Sequence, residues 1–122
     1  LNEKGIEVTD FGCYTQESVD YPDFAHELAK SIKIKKSDFG IQFCGTGNGI
    51  NMSANKHKGI RSALCWNVHI AEQSRLHNNA NILTMPARHL NWNQVKDIVD
   101  IFLITKFEGG RHERRVKKIN IS

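Results

Sequence analysis

The residue with the clearest chemical potential is a cysteine at the start of a glycine-rich turn, in the stretch 40-GIQFCGTGNGINMSANK-56. Cys44 ends an apolar run, and Gly45, Gly47 and Gly49 follow it at every second position. Glycines between a strand and a helix allow a tight turn whose backbone N–H groups face a ligand, and the helix start adds positive potential. Because that potential favours a thiolate, Cys44 is a candidate nucleophile or general base. An inert, buried cysteine is the alternative.

The glycine turn differs from the two best-known phosphate-binding glycine motifs. A dinucleotide-binding fingerprint requires GxGxxG, whereas the turn has the spacing GxGxG, and the sequence contains no GxxxxGK[ST] pattern of a P-loop. The turn therefore predicts neither NAD nor ATP. With Thr46 and Asn48 it is expected to hold an anion or an oxygen that develops negative charge. A tight turn without a ligand is the alternative.

The cysteines and histidines predict no metal and no redox cofactor. No CxxC pair is present, which disfavours redox chemistry, and these residues lack the tight spacing of a zinc site. Cys65 also ends an apolar run, but no glycines follow it, and we interpret it as a core residue. His77, at the end of a predicted helix, is either an ordinary surface histidine or an acid–base group.

A cluster of basic residues near the C-terminus predicts an anionic ligand. Arg111 and Arg115 are four residues apart, so they share one face of a predicted helix. Arginine matches phosphate geometry with two donors, which makes a phosphate clamp an alternative to a solvated basic face. Few aromatic residues lie between the charges, and this weakens the case for nucleic acid as a partner.

The composition is that of one globular domain of 122 residues, with 39% hydrophobic residues and a formal net charge of +4. No apolar run reaches the roughly 18 residues of a membrane span, so no membrane partner is expected. The three cysteines are widely spaced, which favours a reducing compartment and a cytoplasmic location. The chain starts without Met in what resembles the tail of a helix, so we expect the domain, residues 1–122, to be incomplete at its N-terminus.

The hydrophobic pattern predicts strands that alternate with helices. Strands are predicted at 5–12, 39–44, 60–65 and 81–85, and helices at about 22–32, 49–56, 67–77, 93–103 and 111–119, with Asn67 and Asn93 as N-caps. Such alternation is typical of an α/β fold, a three-layer Rossmann-like parallel sheet with helices on both faces. Ligands of these folds bind at the carboxyl ends of the strands, where Cys44 is predicted to lie.

Six short motifs occur along the chain. They are Asp20-Tyr21-Pro22, Cys44-Gly45-Thr46-Gly47-Asn48-Gly49, Ala54-Asn55-Lys56, Gly59-Ile60-Arg61, His77-Asn78-Asn79-Ala80-Asn81 and Glu108-Gly109-Gly110-Arg111-His112-Glu113-Arg114-Arg115. In this order they resemble the sugar-phosphate isomerases of the ribose-5-phosphate isomerase B type, which include galactose-6-phosphate isomerase subunits. The resemblance covers essentially the whole chain.

The resemblance implies that ribose 5-phosphate and ribulose 5-phosphate are interconverted through an enediolate, without a metal or a cofactor. Cys44 matches the base that moves a proton between C1 and C2 of the sugar, and Thr46 matches a residue that assists at that position. His77 matches the group that helps to open the furanose ring. The positions that the resemblance assigns to substrate binding are Gly45, Gly47, Asn48 and Gly49 in the turn, Asn78 and Tyr21 at the sugar, and Arg88, Arg111 and Arg115 at the phosphate.

The resemblance also implies a homodimer or a dimer of dimers, with each site built from two subunits around a phosphorylated sugar. The family begins with an additional strand and helix, and that strand ends in an Asp-His pair that contacts the substrate; the present chain starts after it. Alternatives are an isomerase of a six-carbon sugar phosphate, such as allose or galactose 6-phosphate, a non-catalytic phosphosugar-binding module and, third, a nucleic-acid-binding protein. Cys44 favours the pentose phosphate, because galactose-6-phosphate isomerase subunits vary at the base and at the C-terminal arginines.

Overall fold

The computed structural model describes residues 5–11 and 20–121. Its helices are α1 (Tyr21–Lys33), α2 (Asn48–Ala54), α3 (Val68–Asn78), α4 (Trp92–Ile104) and α5 (Arg111–Lys117), and its strands are β1 (Gly40–Cys44), β2 (Ser62–Leu64) and β3 (Ile82–Pro86). A short 3-10 turn, Ala87–His89, follows β3. Within the described residues, none of the helices has the length and apolar character needed to cross a membrane.

The strands form one parallel sheet in the order β1-β3-β2, so β3 is the central strand. Side chains of β3 alternate between the two faces: Ile82 packs with α1 and α2, whereas Leu83 and Met85 pack with α3 and α4. Because all five residues of β3 are buried, this strand is covered on both sides. The predicted three-layer α/β architecture with a parallel sheet is therefore confirmed.

A buried polar network ties the three strands together on the side of α2. Gln42 Nε2 of β1 donates to Thr84 Oγ1 of β3 at 2.7 Å, and the Ser62 hydroxyl of β2 lies 2.9 Å from the same oxygen. Ser62 also donates to Asn51 Oδ1 on α2 at 2.6 Å. Each strand contributes one member, so a one-residue slip in register would leave buried polar groups without partners.

The helix ends show one correct and one wrong prediction of an N-cap. Asn67 caps α3, where its side chain accepts from the Ile70 N–H at 2.8 Å. Asn93, however, lies inside α4, whose cap is Asn91. The cause is a capping box, in which Gln94 donates its N–H to the Asn91 side chain and accepts from the Asn91 N–H. A cap at Asn93 would place Lys96 at the reciprocal position, and lysine has no acceptor to offer.

The strand predicted at 5–12 is wrong for residues 5–11, which form no regular element; Gly12 lies outside the described residues. Gly5 has a φ of +74°, outside the extended region, and Val8 is 49% exposed although the alternating pattern placed it among the apolar positions. A strand requires a neighbour that supplies ladder hydrogen bonds. The described sheet consists of β1, β3 and β2, and residues 5–11 are not one of its strands.

The link between α1 and the chain after α2 predicts a pH-dependent stability. His26 Nδ1 lies 2.7 Å from His57 Nε2, a hydrogen bond that needs one N–H and one lone pair and is lost if both rings are protonated. Burial, the neighbouring His26 and the positive charges of Lys33 and Lys30 lower the pKa of His57 from its usual 6.5. Since the folded chain holds this proton less tightly than the unfolded chain, stability is full above about pH 6.5 and is lost as pH falls from there through the lowered pKa.

We therefore expect the melting temperature to be lower at about pH 5.5 than at about pH 7.5, and this difference to shrink in His57→Gln. The measurement is thermal unfolding followed by circular dichroism at both pH values. His69→Gln is the matched control, because His69 is an exposed histidine of α3. An equal pH dependence in the wild type and in His57→Gln would rule out the pair as its source.

Candidate active site

The carboxyl edge of the sheet, the end at which its parallel strands terminate, carries the cysteine and the glycine turn. β1 ends at Cys44, which is paired in register with Pro86 at the end of β3. The Cys44 side chain is half-buried and packs against the apolar cluster of α1 and α2. The turn then leads directly into α2, which begins at Asn48.

Gly47 is the residue that makes the turn possible. It caps α2 with a left-handed backbone, φ +82°, which residues with a side chain rarely adopt. A Cβ added there would lie 2.5 Å from Leu64 Cδ1 and 3.3 Å from Thr84 Cγ2. The turn is therefore pressed against the ends of β2 and β3, and only glycine fits both the backbone angle and the space.

The other two glycines of the turn each accommodate a predicted substrate-binding side chain. A Cβ on Gly45 would lie 2.8 Å from Arg88 Nε, and a Cβ on Gly49 would lie 2.6 Å from the Tyr21 ring. The Arg88 N–H also donates to the Gly45 carbonyl at 3.1 Å. The structure thus brings Tyr21 and Arg88, which are far apart in the sequence, to the turn that follows Cys44.

Thr46 and Asn48 face solvent beside a groove of about 510 Å³ at this edge. The Thr46 hydroxyl accepts weakly, at 3.4 Å, from the Asn48 N–H, which leaves it free to turn toward a ligand. The remaining lining residues are Leu64, Trp66, Pro86, His89, Leu90 and Gln94. Sequence reasoning assigned no role to Trp66 and His89, although both follow a strand end, which is the signal that could have identified them.

Cys65 differs from Cys44 in the way that the sequence analysis expected. Its side chain is fully buried in the apolar cluster of α3 and α4, so the interpretation as a core residue is confirmed. Burial raises the pKa of the Cys65 thiol to about 11, against a smaller lowering by the Ser74 hydroxyl. Cys65 is therefore a neutral thiol near pH 7, unsuited to act as a base.

The second group of predicted residues lies at the amino edge of the sheet, the end at which its strands begin. α3 runs from the carboxyl end of β2 back to the start of β3, so its last residues, His77 and Asn78, reach the opposite edge from Cys44. The His77 ring stacks on His112 of α5, with the ring centroids 4.2 Å apart and the planes 17° from parallel. Arg111 precedes His112 directly, and Arg115 follows one turn later on α5; both arginines are exposed.

His112 is the functional-site neighbour that sequence reasoning missed. The sequence analysis assigned no role to His112, but in the structure this residue is only 7% exposed. Burial lowers the pKa of His112, and the charges of His77 and Arg111 lower it further. The signal was the pair Gly109-Gly110: both residues have positive φ, +73° and +57°, and start the turn into α5. The two glycines predict the turn, but the neighbouring residues do not predict that α5 packs against α3.

The predicted residues therefore form two groups rather than one. Cys44, the glycine turn, Tyr21 and Arg88 share the carboxyl edge, whereas His77, Asn78, Arg111 and Arg115 belong to the amino edge. The first and last Cα atoms of a five-residue strand are about 13 Å apart, so the two groups lie at opposite ends of the strands. A small molecule bound to one chain cannot contact Cys44 and His77 together.

Comparison with known proteins gives consistent similarities. A family model described as ribose/galactose isomerase matches residues 1–119. The ribose-5-phosphate isomerase B of Escherichia coli is 42% identical over 119 residues, which cover 98% of this chain and 80% of that protein. A putative sugar phosphate isomerase of Rickettsia bellii is 45% identical over 119 residues, 98% of this chain and 83% of that protein.

Two solved structures are also closely similar. A ribose 5-phosphate isomerase from Thermotoga maritima is 51% identical with a TM-score of 0.96, and the match covers 99% of this chain and 83% of that one. The ribose-5-phosphate isomerase B of Clostridium thermocellum is 49% identical with a TM-score of 0.95, and the match covers 97% of this chain and 80% of that one.

The packing of the turn predicts that Gly47→Ala destabilises the protein more than Gly59→Ala. The two glycines have nearly the same φ, +82° and +85°, but an added Cβ meets no atom within 4 Å at Gly59. The left-handed backbone costs about 1–2 kcal/mol in both variants. Overpacking against Leu64 and Thr84 should add about 1 kcal/mol or more to the loss at Gly47. Urea unfolding measures both losses, and equal values would contradict the tight packing of the turn.

Proposed function

The chain belongs to the ribose/galactose isomerase family, and on that premise we propose that it interconverts ribose 5-phosphate and ribulose 5-phosphate. The observation that carries the proposal is the half-buried thiol of Cys44 at the carboxyl edge of the sheet, followed by a turn in which a Cβ added to any of the three glycines would lie within 3 Å of a neighbouring side chain. Proton transfer next to a carbonyl needs a base, a site for the developing oxyanion and an anchor for the unreactive end of the substrate. The described residues offer each of these.

Cys44 is the base of the proposed mechanism. As a thiolate it takes the proton from C2 of the open-chain aldose, and the electron pair of the C–H bond forms the C1–C2 double bond of an enediolate. The carbonyl oxygen at C1 then bears the negative charge. The thiol then returns its proton to carbon C1, and the proton of the C2 hydroxyl passes to the negatively charged oxygen at C1. These two transfers give the ketose and restore the thiolate. A positioned base of this kind contributes about 10²–10⁴-fold to the rate.

The glycine turn is the proposed oxyanion site. Gly47 has no side chain that could occupy the start of α2, which leaves room for a ligand beside the backbone of the turn, where the Asn48 N–H donates at 3.4 Å to the Thr46 hydroxyl. Arg88 and Tyr21 lie against the turn, 2.8 and 2.6 Å from a Cβ added at Gly45 and Gly49. Donors that are already oriented need no reorganisation when charge develops, which is the main source of such stabilisation.

The phosphate and the sugar ring are proposed to be held partly by a second copy of the chain. His77 and Asn78, with Arg111 and Arg115, lie at the amino edge and cannot contact a substrate at Cys44 of the same chain. A two-fold symmetric homodimer, alone or within a dimer of dimers, can bring the amino edge of one subunit to the carboxyl edge of the other. In this arrangement His77 assists ring opening, Asn78 contacts the sugar, and Arg111 and Arg115 bind the phosphate together with Arg88.

A separate observation, the state of the cysteines, supports the proposed cellular compartment. Cys44 and Cys65 are both free thiols in the structure, and free thiols at strand ends are compatible with a reducing environment. We therefore assign the enzyme to the cytoplasm. Nucleic acid and membrane lipids are not part of the proposal, because the groups described above suit a phosphorylated sugar.

The base is tested by Cys44→Ala. We expect its kcat for ribose 5-phosphate to fall at least about 100-fold, because the general base is lost while the turn keeps its shape. Turnover is measured by the appearance of ribulose 5-phosphate, with a hexose 6-phosphate as the comparison substrate to establish the preference for a pentose. Cys65→Ala is the matched control: it removes a thiol that follows the other outer strand, β2, and should lower stability without a comparable loss of kcat. Unchanged turnover in Cys44→Ala would exclude this residue as the base.

The shared site is tested by mixing two inactive variants, Cys44→Ala and His77→Ala. In a two-fold dimer, random exchange of subunits makes half of the dimers mixed, and each mixed dimer has one intact site, so activity should recover to about a quarter of the wild-type value. The variants are unfolded and refolded together, and each variant refolded alone is the control. No recovery, in mixtures shown to contain mixed dimers, would mean that each chain supplies its own Cys44 and His77.

A further inference from the structure

Two imidazoles and one carboxylate meet at the amino edge of the sheet. His77, Glu108 and His112 each offer a ligand atom, and these atoms all lie within 4.8 Å of one another. His112 Nε2 is 3.9 Å from Glu108 Oε1. We propose that this triad binds a divalent transition-metal cation such as Zn²⁺ and that the bound cation acts as an inhibitor rather than as a cofactor.

Backbone contacts hold the three residues together without a metal. The Glu108 N–H donates to the Leu76 carbonyl at the end of α3, at 3.1 Å. The His112 N–H donates to the Gly109 carbonyl, also at 3.1 Å. His77 stacks directly on His112. A cation therefore does not have to assemble its ligands from distant parts of the chain.

Coordination requires only side-chain movement. Zinc bonds of about 2.0–2.2 Å place tetrahedral ligand atoms roughly 3.3–3.5 Å apart, so the widest separation must close by about 1.5 Å. The nearly parallel rings must also tilt, because each imidazole donates in its own plane. Glu108 has room to move, since its side chain is 58% exposed, and His77 is half-buried. Water can occupy the remaining coordination position.

The donor set determines which cations fit. Imidazole nitrogen suits zinc, copper, nickel and cobalt, whereas magnesium and calcium prefer sites made of oxygen. The neighbouring Arg111 and Arg115 repel any cation, so a metal held mainly by charge gains little here. We therefore expect binding of Zn²⁺ and Co²⁺ and no competition from Mg²⁺.

Inhibition follows from the identity of one ligand and rests on the proposed function. His77 is the residue proposed to assist ring opening for the site of the partner subunit. A cation on its ring occupies the nitrogen that would otherwise exchange a proton with the sugar. The expected effect is a loss of turnover that a chelator reverses.

The test is a titration of the untagged protein with Co²⁺, followed by its visible absorption, and displacement of the Co²⁺ by Zn²⁺. Glu108→Gln removes the carboxylate and keeps the side-chain shape; we expect it to weaken Co²⁺ affinity at least about tenfold, since even outer-shell partners of a metal contribute about 10–100-fold. Glu113→Gln is the matched control, because Glu113 is a similarly exposed carboxylate, 59% exposed, on the adjoining helix α5 and pairs with Lys117 instead. It should bind Co²⁺ like the wild type.

The outcomes separate the metal site from the proposed catalytic role. Absence of saturable Co²⁺ binding, or equal affinity in the wild type and in Glu108→Gln, would overturn the site. Zn²⁺ inhibition that is relieved by a chelator and weakened in Glu108→Gln would support the whole proposal. Saturable binding with full turnover would keep the metal site, overturn the inhibition and contradict the role of His77. His112 is left unchanged in these experiments because it is buried and its replacement would disturb the packing of α5.

Discussion

The parallel pairing of β3 with both of its neighbours is the constraint on which the rest of this chain depends. Parallel strands cannot be joined by hairpins, so a helix must return the chain from one edge of the sheet to the other after each strand. Strand ends and the starts of the following helices therefore gather at one edge, and helix ends gather at the opposite one. Cys44 and the end of α3 are separated by this topology, which no change of rotamer can undo.

The turn at the carboxyl edge is closely packed because its three glycines carry no side chains. Each glycine of the turn is in close contact with a different neighbour: Gly45 with Arg88, Gly47 with Leu64 and Gly49 with Tyr21. The turn is thus enclosed by α1, by the end of β2 and by the 3-10 turn after β3. The backbone beside Cys44 is therefore packed against elements that form or flank the sheet.

Features that depend on a few consecutive residues could be predicted from the sequence. The turn after Cys44 and the cap at Asn67 are local, and the structure agrees with both. Prediction failed where a distant partner decides the outcome. Residues 5–11 have the alternation of a strand but do not join the described sheet, and Asn91 rather than Asn93 caps α4 because Gln94 completes a reciprocal pair. The burial of His112 depends on how α5 packs on α3, about which the local pattern carries no information.

At the amino edge, α3 and α5 meet through the rings of two histidines. Within the described residues, His112 is the buried residue of α5, and its ring stacks on His77 at the end of α3. Two charged imidazoles stacked at 4.2 Å would repel each other, and after burial the charge of His77 is a further cause that lowers the pKa of His112. The contact between these two rings therefore connects α3, which carries His77, with α5, which carries Arg111 and Arg115.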